Sequence, residues 1–183
     1  ANKLNTRTGQ NHIDANNLKA TALESSTVET KPTIGLDVAA VGGMYANHIT
    51  MVGTEAGVGV NLNGVVAGTQ SVSVDANGHL SVNGTLQSDT SLVAKANSIQ
   101  NTKTIASGGD LALETKELTN TGHITSAKNG HVKVEETLTN NNTMAAGANT
   151  QGALTGNGSL SIEAGTVRNT DAVIVSGGTT RIN

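Results

Sequence analysis

The stretch Asp110-Leu-Ala-Leu-Glu-Thr-Lys-Glu-Leu-Thr-Asn120-Thr-Gly-His-Ile-Thr-Ser-Ala-Lys-Asn-Gly130-His-Val-Lys-Val-Glu-Glu-Thr-Leu-Thr-Asn140 states one pattern twice. In each copy an apolar pair with one residue between its members is followed by polar residues, then by Leu118 or Leu138 and, two positions on, by Asn120 or Asn140. Working outward, the asparagine recurs at Asn63, Asn83, Asn101, Asn120, Asn140 and Asn169, with spacings of 20, 18, 19, 20 and 29. Each follows an aliphatic residue by one or two positions. The apolar pair keeps step at Val72/Val74, Leu92/Ala94, Leu111/Leu113, Val132/Val134 and Leu160/Ile162, spaced 20, 19, 21 and 28. Two independent marks with one period identify an internal repeat.

Each unit offers only two or three residues that favour burial, too few for a core of its own, so the units must stack as a solenoid. Alternation of Val, Ile, Leu and Thr with polar residues reads as short strands, and the Gly and Asn between them read as corners with φ > 0. No window after residue 63 shows a clean helical period. The expected fold is therefore all-β, a parallel β-helix of about 20 residues per coil with equivalent residues stacked roughly 4.8 Å apart. Leu86-Gln-Ser88, Ile105-Ala-Ser107, Ile124-Thr-Ser126 and Met144-Ala-Ala146 are expected to stack on one another. The long interval from Asn140 to Asn169 places a Gly/Asn/Thr-rich loop excursion near 145–157.

Composition agrees. The 183 residues include no Phe, no Trp, one Tyr, one Pro and 22 Gly, a poor supply for a globule but sufficient for a narrow interior filled by aliphatic stacks. Charged residues make up only 14%, and the apolar alternation is regular, which argues against disorder. A net charge of −3 and the absence of a basic, aromatic-interleaved cluster argue against nucleic acid as a partner. Without cysteine there is no disulfide framework and no thiolate metal site, a composition that suits passage through an oxidising compartment. There is no signal peptide and no apolar run of membrane-spanning length. The opening Ala1-Asn2-Lys3-Leu4 and the uncapped close at Arg181-Ile182-Asn183 lead us to expect a fragment of a longer protein.

Residues 1–34 are turn-rich and irregular, with Gly9, Asn11, Asn16 and Asn17 as corner candidates, Ile13, Leu18, Leu23 and Val28 as scattered apolar positions, and a break at Lys31-Pro32. Beyond it lie Leu36-Asp37-Val38-Ala39-Ala40-Val41-Gly42-Gly43-Met44-Tyr45-Ala46 and Thr54-Glu55-Ala56-Gly57-Val58-Gly59-Val60. No Gly-Lys-Ser/Thr and no helix start follow the glycines, so this is not a phosphate loop and no cofactor is implied.

That pair of segments resembles the end of the secretion domain of filamentous-haemagglutinin-like exoproteins of two-partner secretion systems, a family of adhesins, cytolysins and contact-dependent growth-inhibition effectors. Residues carrying the resemblance are Leu36, Asp37, Gly42, Gly43, Met44, Tyr45, Thr54, Glu55, Gly57 and Gly59. The later repeats are similar to the haemagglutinin repeats of such proteins. The resemblance implies a right-handed β-helix, export through an outer-membrane two-partner-secretion transporter, and a place outside or on the surface of a Gram-negative cell. It divides the chain into 1–62, the C-terminal part of a secretion domain, and 63–183, haemagglutinin-type repeats. The Asn-Pro-Asn motifs of the early secretion domain are absent, since the only proline is Pro32.

The asparagine ladder reads as corner residues that tolerate left-handed geometry, or as an outward row touching glycans. His79, His123 and His131 read as exposed corner residues; His79 and His131, two rungs apart, are too distant to share a metal ion, and none is expected. Glu114 and Glu135 are expected to neighbour one another with Glu163 above, on a solvated face offset by Lys116 and Lys133. No nucleophile, base and orienting group assemble, so no enzyme is expected. Threonines are too irregularly placed for an ice-binding face. The expected role is a structural shaft of a large secreted surface protein. The alternatives are an adhesive module for a host or neighbouring-cell receptor or glycan and, more remotely, a β-helical polysaccharide-active enzyme.

Overall fold

The computed structural model describes residues 1–17, 19–23 and 32–183; Leu18, Val28 and Lys31 lie outside the described residues. It is an all-β parallel solenoid of about seven turns with roughly 20 residues per coil. Three faces wind around one interior. The first carries Val173–Ser176 (β16), Thr143–Ala146 (β14), His123–Ser126 (β12), Thr104–Ser107 (β10), Thr85–Ser88 (β8) and the start of the long strand Val65–Val82 (β7). All these neighbours pair in parallel, and the four tripeptides beginning at Leu86, Ile105, Ile124 and Met144 stack as the period requires.

The second and third faces share strands. β7, Ser91–Asn101 (β9), Asp110–Asn120 (β11), Gly130–Asn140 (β13) and Leu160–Asn169 (β15) bend where the register shifts, as between Thr115 and Glu117, whereas Gly43–Gly53 (β5) bends between Ala46 and His48 and joins the first face to the second. The bend turns one strand around a corner without breaking its hydrogen-bond ladder. Thr180–Ile182 (β17) extends the second face beyond β15. At the other end Lys3–Thr8 (β1) pairs with β5, so the irregular opening of the chain contains a regular rung. Ile34–Val38 (β4) and Gly59–Leu62 (β6) begin the third face. A small antiparallel hairpin, Asn11–Ile13 (β2) with Ala20–Ala22 (β3), projects between β1 and β4.

Inward residues form continuous columns: Val66, Leu86, Ile105, Ile124 and Met144 on the first face, Val74, Ala94, Leu113, Val132 and Ile162 on the second, and Leu80, Ile99, Leu118 and Leu138 on the third, all buried. Each column member buries its neighbour's apolar surface, which is why no coil could fold alone. The pair Val132/Val134 departs from the expected equivalence. Leu111 stands over Gly130 and Leu113 over Val132, so the valines are shifted by two residues. Leu160 fills the space above Gly130, where an added Cβ would lie 2.9 Å from its Cδ1.

The corners also differ from expectation. Positive φ occurs only at Gly9, Gly57, Gly147, Gly152 and Asp171 among the described residues, and at none of the six ladder asparagines. Regular corners take glycine for closeness instead: an added Cβ on Gly84 would run into the Gly64 carbonyl, and one on Gly122 into that of Lys103. The loop excursion runs over 147–159, because Ala145 and Ala146 belong to β14. It is ordered, with an Ala148↔Leu154 bridge and the Asn149 side chain accepting from the N–H groups of Gln151 and Ala153 at 3.0 and 3.1 Å.

Candidate functional site

The six asparagines do not form one row. Along the third face the register runs Val38, Leu62, Val82, Asn101, Asn120, Asn140, Asn169. Thus Asn101 stacks on Val82 and not on Asn83. The coil there is 19 residues long, so the 18-residue step from Asn83 to Asn101 crosses from one side of the strand to the other.

Asn101, Asn120 and Asn140 are 0% exposed. Each Nδ2 donates to the Oδ1 of the next coil, at 2.8 Å from Asn101 to Asn120, 2.7 Å from Asn120 to Asn140 and 2.7 Å from Asn140 to Asn169. Each also donates to a main-chain carbonyl, of His123, Thr143 and Val173 respectively. Those carbonyls accept only, so they fix which amide atom is nitrogen. The buried amides pair with one another in an interior that has no water-facing side, except that Asn101 Oδ1 receives no donor. Neither the left-handed corner reading nor the glycan-facing reading holds for these three.

Asn63 and Asn83 are outside and half-buried, in a separate ladder: Asn83 Nδ2 donates to Asn63 Oδ1 at 3.0 Å, and Asn63 Nδ2 to Asp37 Oδ1 at 3.3 Å. Asn61 also donates to Asp37, at 3.0 Å.

The segments quoted for the family resemblance build two different corners. In the first, Leu36 and Met44 pack against the core, Asp37 receives the outer ladder, and the Gly42 and Ala39 carbonyls lie against Gly64. Gly43 leaves room for the ring of Tyr45, which is exposed. In the second, Thr54 Oγ1 lies 3.1 Å from the Thr8 carbonyl and 3.0 Å from Asn11 Oδ1, which compete for its single proton, the Glu55 carbonyl accepts from Val58 N, and Gly57 adopts φ +81°. Gly59 passes so near the next coil that an added Cβ would sit 2.6 Å from the His79 carbonyl oxygen.

Charged residues on the second face alternate. Asp75, Lys95, Glu114, Lys133 and Glu163 stack in that order, and Lys95 Nζ reaches Glu114 Oε1 at 3.1 Å. The expected neighbour of Glu114, Glu135, is displaced by Lys133, because the coil from Glu114 is 19 residues long and not 21. The three histidines lie on three faces: His123 on the first, His131 on the second, and His79 on the third, where its Nδ1 lies 2.7 Å from Ser98 Oγ. Among the described residues no group of three metal-ligating side chains gathers. Concavities are shallow surface grooves, such as one of about 330 Å³ over Asp75, Asn77, Lys95 and Asn97 and one of about 360 Å³ over Val93, Asp110, Asn129 and His131.

No family model matches the chain, and no solved structure does. Curated relatives do. It is 40% identical over 85 residues, 46% of its length, to the tRNA nuclease CdiA-2 of Burkholderia pseudomallei (strain 1026b). To the tRNA nuclease CdiA of Escherichia coli (strain NC101) it is 34% identical over 116 residues, 63% of its length. A 16S rRNA endonuclease CdiA from Enterobacter cloacae subsp. cloacae is 39% identical over 67 residues, 37% of the chain. The chain spans only 3%, 3% and 2% of those proteins' lengths. Its relatives are thus CdiA proteins, matched over a small fraction of each.

Proposed function

We propose that the chain is a length of structural shaft from a large secreted surface exoprotein of the CdiA and filamentous-haemagglutinin-like kind. The observation that supports this best is the coil-on-coil register, which carries continuous interior columns through every described turn. Such a stack resists bending and extends about 4.8 Å per coil, so its length is set by the number of coils. The relatives' names point to different RNA targets, tRNA in two and 16S rRNA in the third, although all share similarity with this stretch. What they share with this chain is a stretch of similar sequence, whichever RNA their names give as the target.

In this reading residues 1–62 close a secretion domain, residues 63–183 begin the repeats, and the parent leaves the cell through an outer-membrane two-partner-secretion transporter to reach the surface of a Gram-negative bacterium. Leu36, Asp37, Gly42, Gly43, Met44, Tyr45, Thr54, Glu55, Gly57 and Gly59 serve to hold the two corners at which the coils start.

Deletion of whole coils in the surface-displayed parent tests the proposal. Removing Thr102–Asn140 takes out two coils between register-equivalent asparagines and joins Asn101 to Asn141. Display on the cell and activity of the distal part are expected to persist. Removing Thr102–Gly130 joins the third face to the second and is expected to abolish protease resistance and display. Loss of target-cell attachment in the whole-coil deletion, with protease resistance retained, would instead make this stretch an adhesive module.

A further inference from the structure

The two asparagine ladders run away from each other. In the outer ladder the amides donate toward the N-terminal coils, from Asn83 to Asn63 and from Asn63 to Asp37. In the inner ladder they donate toward the C-terminal coils, from Asn101 through Asn120 and Asn140 to Asn169. Between them lies the step from Val82 to Asn101. Here Val82 has no side-chain amide to offer, and Asn101 Oδ1 is a fully buried acceptor without a donor, whereas the other unpaired buried atoms among the described residues, Thr6 Oγ1 and His123 Nδ1, belong to half-buried side chains.

The geometry points to this step as a joint, at which the solenoid separates into two cooperative blocks. Within each block, docking a coil completes a side-chain hydrogen bond to the previous one. Across the step, docking buries an acceptor and leaves it unpaired, which opposes association. Because each coil couples only to its neighbours, one unfavourable contact weakens one interface and no other. Hydrogen-bonded chains polarise one another, so the ladders strengthen the blocks they lie in.

Side-chain bonds do cross the step. Thr102 Oγ1 donates to Asn83 Oδ1 at 3.0 Å, Asn97 Nδ2 to the Asn77 carbonyl at 3.2 Å, and His79 meets Ser98. These lie on the exposed surface, where water replaces a lost partner. The buried Ser88 hydroxyl also donates across the step, to the Gln70 carbonyl at 3.0 Å, but reaches a main-chain oxygen of an exposed residue and leaves the sealed Asn101 acceptor unpaired.

The position of the joint follows from residue identity, so it can be moved. V82N supplies a donor for Asn101 Oδ1 and passes the unpaired acceptor to position 82, against Leu62. N101V removes the present orphan without creating another, because Asn120 Oδ1 keeps the Gly122 N–H as a donor at 3.3 Å. Native-state amide exchange of the 183-residue chain, read against denaturant concentration, reports which coils open together.

In the unaltered chain residues 59–82 and 104–140 are expected to exchange as two groups, differing roughly tenfold or more in protection. In V82N the boundary is expected between Leu62 and position 82, and in N101V the boundary at the step from position 82 to position 101 is expected to disappear. A single cooperative group in the unaltered chain, or a boundary that stays in place in both variants, would overturn the inference.

Discussion

Replacing Asn120 with alanine isolates the energetic role of the inner ladder. The Asn120 side chain donates to Asn140 Oδ1 and to the Thr143 carbonyl, and accepts from Asn101 Nδ2 at 2.8 Å and from Gly122 N at 3.3 Å. Its removal leaves Asn140 Oδ1 and Gly122 N without these partners, and strips one of two acceptors from Asn101 Nδ2, which keeps the His123 carbonyl. Leaving a buried polar group unpaired costs about 1–3 kcal/mol, so two such groups, partly relieved by relaxation, place the loss at roughly 2–5 kcal/mol.

Asn83 makes a comparable set of bonds, to Asn61, Asn63, Ser81 and Thr102, but it is half-exposed and water can take each place. N83A is expected to cost about 1 kcal/mol or less. Urea unfolding followed by far-ultraviolet circular dichroism compares the two variants in one background. Equal shifts, or an N120A loss below about 1 kcal/mol, would refute the distinction between sealed and water-backed ladders.

Three further outcomes follow from single contacts. K95E sets three acidic groups in a row at 75, 95 and 114, and should destabilise by up to about 1 kcal/mol at low salt, with most of the loss recovered by raising ionic strength. G59A should be far more damaging than G57A in thermal denaturation: at Gly59 the new methyl meets the His79 carbonyl, whereas Gly57 opens on empty space and only its φ of +81° is strained, a cost of about 1 kcal/mol. L160A should cost about 2–4 kcal/mol by emptying the space over Gly130, and G130V should recover part of that loss in the double variant while being neutral or harmful alone, as a double-mutant cycle would record.

Much of the fold was legible because a strand alternates strictly and a solenoid repeats strictly. The tripeptides from Leu86 to Ala146 stack as their spacing requires. Errors arose where coil length varies by one or two residues. The 18-residue gap before Asn101, against coils of 19 and 20, was the visible sign that Asn83 and Asn101 face opposite ways, and the 21-residue gap before Val132 was the sign of its two-residue shift. An odd slip changes the side of the strand, while an even slip keeps the side and changes the partner, so only the first turned outward corner residues into buried ones.

By itself, then, the chain's residue order determined the architecture: too few apolar residues per unit to fold alone, a period near 20, and an in–out alternation that names most of the interior. Tertiary structure alone decided which side chains meet. Lys133 and not Glu135 lies beside Glu114, Gly130 is completed by Leu160, and Asn101 has Val82 where an amide donor is needed. The reason is that neighbours in a parallel stack are about 20 residues apart in sequence, and their alignment depends on how many residues each corner consumes, which the backbone settles only when the coils close on one another.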